Sequence, residues 1–277
     1  MLDGAVLLWF VLAALAVAFV TIDIRNTPES PVLKWGFVLL TAYTGVVGAF
    51  LYVLGCREPL PGTHEEYTAA HWRQTLGSTM HCVAGDGIGI LVGAVLSSLL
   101  GLTGFAEVAL EYLLGFGFGW TIFQALFMRD AAGGSYSVAL RRTFIPELLS
   151  MNLLMAGMVP TAMTLRRHVD LAGDPAQARF WFVMSMALLV GFIVTYPMNW
   201  WLVANHLKHG MMTVRPKKEA AGMAMSMGAD GGTAMGGRGM MGGMAMHGAH
   251  KPSPSVSTMT VLSFVALAVG LALALAA

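Results

Sequence analysis

Sulfur, imidazole and carboxylate side chains recur at spacings that could hold a metal ion. In one apolar stretch Glu147, Met151, Met155 and Met158 follow at intervals of four, four and three residues, so they share one helical face. A thioether is a soft donor suited to Cu(I), and a carboxylate leading into a ladder of thioethers is what a Cu(I) path requires. The same stripe also reads as flexible filler for irregular packing. Pro160 follows it and opens the helical hydrogen bonding there. A second stretch opens on His81, Cys82 and Asp86, and a third closes on Tyr196-Pro197-Met198-Asn199, with His206 just beyond. Following the chain direction, His81, Cys82, Asp86, Glu147, Met151, Met198, Asn199 and His206 fall at a similar depth, a soft-metal donor set if they converge. Taken singly, His81 reads as a satisfied interfacial histidine and Cys82 as a small buried hydrophobe.

A further soft-ligand group lies in the low-complexity segment 221–250. It holds Met223, Met225, Met227, Met235, Met240, Met241, Met244 and Met246, then His247 and His250, mostly separated by glycine and alanine. Ten of the 21 methionines fall between residues 211 and 246, where no packed core or regular helix is expected. Methionine in water-exposed coil has no packing role, so the segment reads as a Cu(I) capture loop, with a plain linker as the bland alternative.

These groups need elements to position them, and composition defines which kind. Hydrophobic types make up 56% of the 277 residues and charged types 11%, with a mean hydropathy of +0.68. A soluble domain carries about 25% charge, so the chain reads as a membrane protein. A net charge of +1 excludes bulk electrostatic binding of nucleic acid. Crossing a hydrocarbon core takes roughly 20 apolar helical residues. Seven stretches qualify, at about 4–22, 32–55, 80–100, 104–127, 143–165, 180–204 and 256–277. The expected fold is therefore all-α, a polytopic transmembrane helical bundle of about seven spans. The first stretch reads as a span rather than a cleaved signal, since Met1-Leu2-Asp3 offers no basic leader.

Four parts follow from this division: two N-terminal spans with their loop over 1–79, a four-helix core over 80–204, the methionine-rich loop over 205–255, and a final span over 256–277. Seven crossings put the loops 56–79, 129–142 and 205–255 on the side of the N-terminus. Those segments carry eleven of the 16 basic residues, so the N-terminus and the methionine-rich loop are expected in the cytoplasm of a bacterial inner membrane. Gly85, Gly89 and Gly93 form one small-residue stripe and Gly115 with Gly119 another, which favours close helix packing. Asp86, Glu107, Glu111 and Glu147 are acids within spans, and no Lys or Arg is expected deep enough to pair with them.

Catalytic chemistry finds no support. The histidines do not pair as membrane haem ligands, Cys56 and Cys82 do not form a dithiol motif, and no nucleophile triad or phosphate-binding loop is present.

Two motifs carry a resemblance. Ser78-Thr79-Met80-His81-Cys82-Val83-Ala84-Gly85-Asp86-Gly87-Ile88-Gly89 resembles the His-Cys-x-x-Gly-x-x-x-Gly opening of an uncharacterised bacterial integral-membrane family, DUF4396. Tyr196-Pro197-Met198-Asn199-Trp200-Trp201-Leu202, then Lys208-His209-Gly210, resembles its closing motif. The resemblance covers roughly residues 70–212. It implies a polytopic helical bundle, no established activity and a weak association with metal handling.

The leading expectation is a non-enzymatic Cu(I) transporter, or a membrane chaperone that loads a copper enzyme, with Cu(I) its only expected cofactor. The lipid bilayer is the first expected partner. An accessory or assembly subunit of a larger membrane complex is the alternative, and a proton-coupled carrier built on Asp86, Glu107, Glu111 and Glu147 is a third reading.

Overall fold

Residues 2–129, 134–211 and 253–276 are described by the computed structural model, and the elements they form are helices. The methionine-rich segment, including Met223, Met225, Met227, Met240, Met241, Met244, Met246, His247 and His250, lies outside them. Six helices among the described residues are long and apolar enough to cross a membrane. They are α1 (Leu2–Asp23, extended by one 3-10 turn to Asn26), α5 (His71–Leu100), α6 (Phe105–Phe118), α8 (Tyr136–His168), α9 (Ala178–Ala204) and α10 (Val256–Ala276). The crossing begun by α6 continues through a π-helical turn, Gly119–Gln124, into α7 (Ala125–Met128). Outward-facing leucine and isoleucine, such as Leu7, Leu15, Ile22 and Leu275, leave α1 and α10 with apolar exposed surfaces suited to lipid rather than water.

The stretch expected to span at 32–55 folds differently. It forms α2 (Pro31–Thr44) and α3 (Val46–Gly55), which meet at Gly45 in a left-handed conformation, φ 62°. A side chain at that φ would be strained, and the Trp9 ring of α1 closes over the same point. The two helices then run back alongside each other, with Gly48 against the Thr41 backbone. Their outer ends meet: the Tyr52 hydroxyl donates to Asp23 Oδ2 at 2.8 Å, Arg57 pairs with Asp23 at 3.0 Å, and Thr27 Oγ1 lies 3.1 Å from Tyr52 Oη. At 1.5 Å per residue α2 is about 21 Å long, shorter than a bilayer core. The pair enters and leaves at one face, so it adds no crossing to the six found among the described residues.

This moves the N-terminus. Asp3 accepts from Arg179 at 2.7 Å, and Trp9 packs edge-on against Phe182, both at the start of α9. The end of α9 lies against the start of α5, where Tyr196 Oη donates to the Trp72 carbonyl at 3.1 Å. The segments after α3, after α7 and after α9 therefore share one face, here the near face, while the N-terminus lies at the far face. Among the described residues, Arg25, Lys34, Arg57, Arg73, Arg129, Arg141, Arg142 and Lys208 belong to the near face or its first turns, and only Arg166, Arg167 and Arg179 to the far face.

Small residues set the packing of the core. A Cβ on Gly89 would strike the Leu114 carbonyl, and one on Gly93 would lie 2.8 Å from Glu111 Cα, so α5 and α6 touch backbone to backbone. Polar links tie α8 to its neighbours: the Tyr112 hydroxyl donates to Asn152 Oδ1 at 2.7 Å, and Asn152 Nδ2 donates to Ser263 Oγ of α10 at 3.0 Å.

Candidate metal centre

Cys82 and Asp86 lie one turn apart on α5, and Glu147 projects from α8 to meet them. Cys82 Sγ is 3.5 Å from Asp86 Oδ2 and 3.4 and 3.5 Å from the two Glu147 oxygens. All three side chains are fully buried, and one ligand atom from each falls within 4.8 Å of the others. Asp86 Oδ1 has no hydrogen-bond partner among the described residues.

The π turn makes room for this pair of carboxylates. It begins at Gly119, whose α-carbon stands against them: a Cβ there would collide with Asp86 Oδ1 and lie 2.7 Å from Glu147 Oε1. Such single-turn insertions re-aim a helix face and are frequent at functional sites. A Cβ on Gly115, one turn earlier, would lie 3.2 Å from the Asp86 carbonyl oxygen and 2.7 Å from the Met151 methyl, so the Asp86 backbone and a thioether border the same glycine.

The expectation that these acids lack a counter-ion is overturned. After α9 the chain reverses at His206, φ 56°, with Leu207 N donating to the Leu202 carbonyl at 2.9 Å. The reversal sends Lys208 back into the bundle. Its ammonium donates to Glu147 Oε2 at 3.1 Å, Ser150 Oγ at 3.0 Å and Asn199 Oδ1 at 3.1 Å, with its side chain 2% exposed. Although burial opposes its charge, the neighbouring Cys82, Glu147 and Asp86 hold the Lys208 pKa above its ordinary value. Beside Lys208 a small cavity of about 40 Å³, lined by Gln124, Arg142, Thr143 and His209, adjoins the site.

His81 is buried with both ring nitrogens lacking hydrogen-bond partners among the described residues. It packs between Phe123, Phe127 and His209, the last at 5.5 Å between ring centroids. His209 Nε2 lies 3.3 Å from Gln124 Oε1. Burial, joined by the Lys208 charge and opposed by the Gly210 carbonyl, pushes the His209 pKa down to about 4, so the ring is neutral at pH 7.

The remaining sequence candidates divide. Met151, Met155 and Met158 are fully buried in one continuous apolar cluster that also holds Met184. Met198 belongs to a separate apolar cluster with Leu149, Trp201 and Leu202. His206 provides the backbone reversal and lies in neither ligand cluster found among the described residues.

Near the far face the acids also acquire a cation. Arg166, from the last turn of α8, donates to Glu107, lies 4.0 Å from Glu111, and approaches the Met184 sulfur at 3.7 Å.

A second ligand cluster escaped sequence reasoning. Glu29 before α2, Cys56 after α3 and His64 opening α4 (His64–Thr68) are all buried and converge within 4.8 Å. Burial raises the Glu29 carboxyl to about 8 and pushes the Cys56 thiol up. No motif announces the group, because only the folding-back of α2 and α3 brings residues 29 and 56 together.

Fold and site together define a polytopic α-helical membrane protein with a buried thiol, carboxylate and lysine group at the heart of its bundle. Residues 71–208 match the domain of unknown function DUF4396, and the chain belongs to that family through this region. Its limits enclose Cys82, Asp86, Glu147 and Lys208, and exclude the Glu29, Cys56 and His64 cluster. No curated protein and no solved structure matches the chain.

Proposed function

We propose that the protein handles Cu(I) in a membrane, receiving the ion at Cys82, Asp86 and Glu147 from the near face. The observation that carries this reading is the buried thiol within 3.5 Å of two carboxylates, at a group whose occupant charge is already a single cation, Lys208. A thiolate and a nearby thioether favour a soft monovalent ion over Mg(II) or Ca(II), which take oxygen ligands. Lys208 is the internal cation that withdraws when the ion arrives, so the carboxylates are never left without a partner. Met151, Met155, Met158 and Met184 then lead through the packed core toward the second acid and base group at Glu107, Glu111 and Arg166. Moderate affinity at successive sulfurs suits transfer rather than storage.

Under the positive-inside rule the near face, with its excess of arginine and lysine, is cytoplasmic in a bacterial inner membrane, and the N-terminus is outside. Residues 211 and 253, which flank the methionine-rich sequence, both belong to near-face segments, which supports a cytoplasmic source for the ion. The ion would then move outward, or to a copper enzyme docked in the membrane. The test is Cu(I) bound per chain by the full protein in mild detergent, under reducing conditions. The reading predicts near-stoichiometric copper that Cys82→Ser lowers by at least about tenfold in affinity.

A further inference from the structure

We propose that Glu29, Cys56 and His64 form a second metal site, one that takes Zn(II) and pins the outer ends of α2 and α3 to α4. The donor set is one thiol, one imidazole and one carboxylate, all common zinc ligands, with an imidazole where the Cys82 group has its second carboxylate. This distinguishes it from the thiol group beside Met151.

The geometry is close to what the ion needs. His64 Nε2 stands 3.4 Å from Glu29 Oε1, and Cys56 Sγ stands 4.0 Å from His64 Nε2. With Zn–S near 2.3 Å and Zn–N or Zn–O near 2.0–2.1 Å, a tetrahedral ion separates its ligand atoms by roughly 3.3–3.6 Å. The third edge, Cys56 to Glu29, is within 4.8 Å, so Cys56 closing on the other two by up to about an ångström builds three corners of a tetrahedron. The fourth is left for a water.

A second, independent observation points to an ion. Both oxygens of Glu29 are buried without a hydrogen-bond partner among the described residues, although the carboxylate is 5% exposed at most. Burying a carboxyl without donors is costly, and a bound cation removes that cost. At the Cys82 group Lys208 serves this purpose. Here the described ion pairs give Glu29 only His64, itself one of the proposed ligands.

Supporting contacts hold the ligands where they stand. Asp23 accepts from Tyr52 and Arg57 on either side of Cys56, and Glu58 accepts from the His64 backbone N–H at 3.1 Å. Such outer contacts orient metal ligands. The ion would join three points far apart in sequence, the linker after α1, the end of α3 and the start of α4, and its binding energy would add to the stability of this corner.

The full chain in mild detergent is stripped with a chelator and titrated with Zn(II), with Co(II) as a spectroscopic substitute. One equivalent of zinc per chain is expected, together with a thiolate-to-cobalt charge-transfer band and a higher Tm on zinc addition. Cys56→Ser should abolish the cobalt band, and Glu29→Gln, which keeps the side chain's shape, should weaken zinc by about tenfold or more. Cys82→Ser should change none of these, which separates this site from the Cu(I) reading. Zinc uptake that survives both Cys56→Ser and Glu29→Gln would overturn the proposal. So would a helical, monodisperse wild-type chain that takes up no zinc at micromolar concentrations.

Discussion

Replacing Lys208 with methionine keeps the length of the side chain and removes its charge from the bundle. Three acceptors lose their donor at once: Glu147 Oε2, Ser150 Oγ and Asn199 Oδ1, all at 3.0–3.1 Å. Glu147 is fully buried, so the substitution strands a carboxylate with only the Cys82 thiol as a donor among the described residues. Breaking a buried pair by removing one partner costs about 3–5 kcal/mol. At roughly 2–4 °C per kcal/mol for a chain of this order, thermal unfolding in mild detergent should drop by about 6–20 °C. The double variant Lys208→Met with Glu147→Gln removes both charges and should recover at least half of that drop, a coupling readable from the double-mutant cycle. A single variant as stable as wild type, or a double variant no better than the sum of its parts, would refute Lys208 as the partner that makes the buried carboxylates tolerable.

Gly119→Ala puts a methyl group where Asp86 Oδ1 lies; overpacking of this kind costs about 1–3 kcal/mol, and Cu(I) affinity measured by chelator competition should fall with Tm. The low pKa of His209, about 4 against an ordinary 6.5, means the unfolded chain binds more protons between those values. Stability should therefore rise as pH goes from about 4 to 6.5, and His209→Gln should flatten that part of a Tm-against-pH curve. Met151→Leu conserves apolar volume, so the folded fraction should hold while the rate of copper transfer to an external chelator falls; an unchanged rate would remove the methionine stripe from the path. Single cysteines introduced at Asp3 and Leu60 in a chain lacking Cys56 and Cys82 should label from opposite sides of sealed vesicles, and labelling from one side would contradict the folded-back α2 and α3.

Local chemistry carried much of this molecule. Apolar length alone marks five crossings at or near their observed positions after residue 70, because lipid requires every backbone group to be satisfied within its own helix. Helical spacing likewise grouped Glu147 with Met151, Met155 and Met158, since periodicity fixes a face whatever lies opposite. Failures came where the chain reverses. Gly45 breaks a stretch whose composition reads as continuous, and hydropathy is blind to one left-handed residue. Lys208 stands beyond the end of α9, and only the turn at His206 carries its ammonium back to Glu147, so its depth had no one-dimensional signal. Its place in the Lys208-His209-Gly210 motif beside Asn199 was the available clue.

The most direct test is a Cu(I) titration of the full chain, with metal counted by mass spectrometry beside Cys82→Ser and Cys56→Ser. The proposed function predicts about one copper that resists a moderate-affinity chelator in wild type and in Cys56→Ser and is lost in Cys82→Ser, the weaker copper of the methionine-rich segment being stripped from all three. Equal copper in Cys82→Ser and wild type, or none in a folded wild-type chain loaded under reducing conditions, would contradict it.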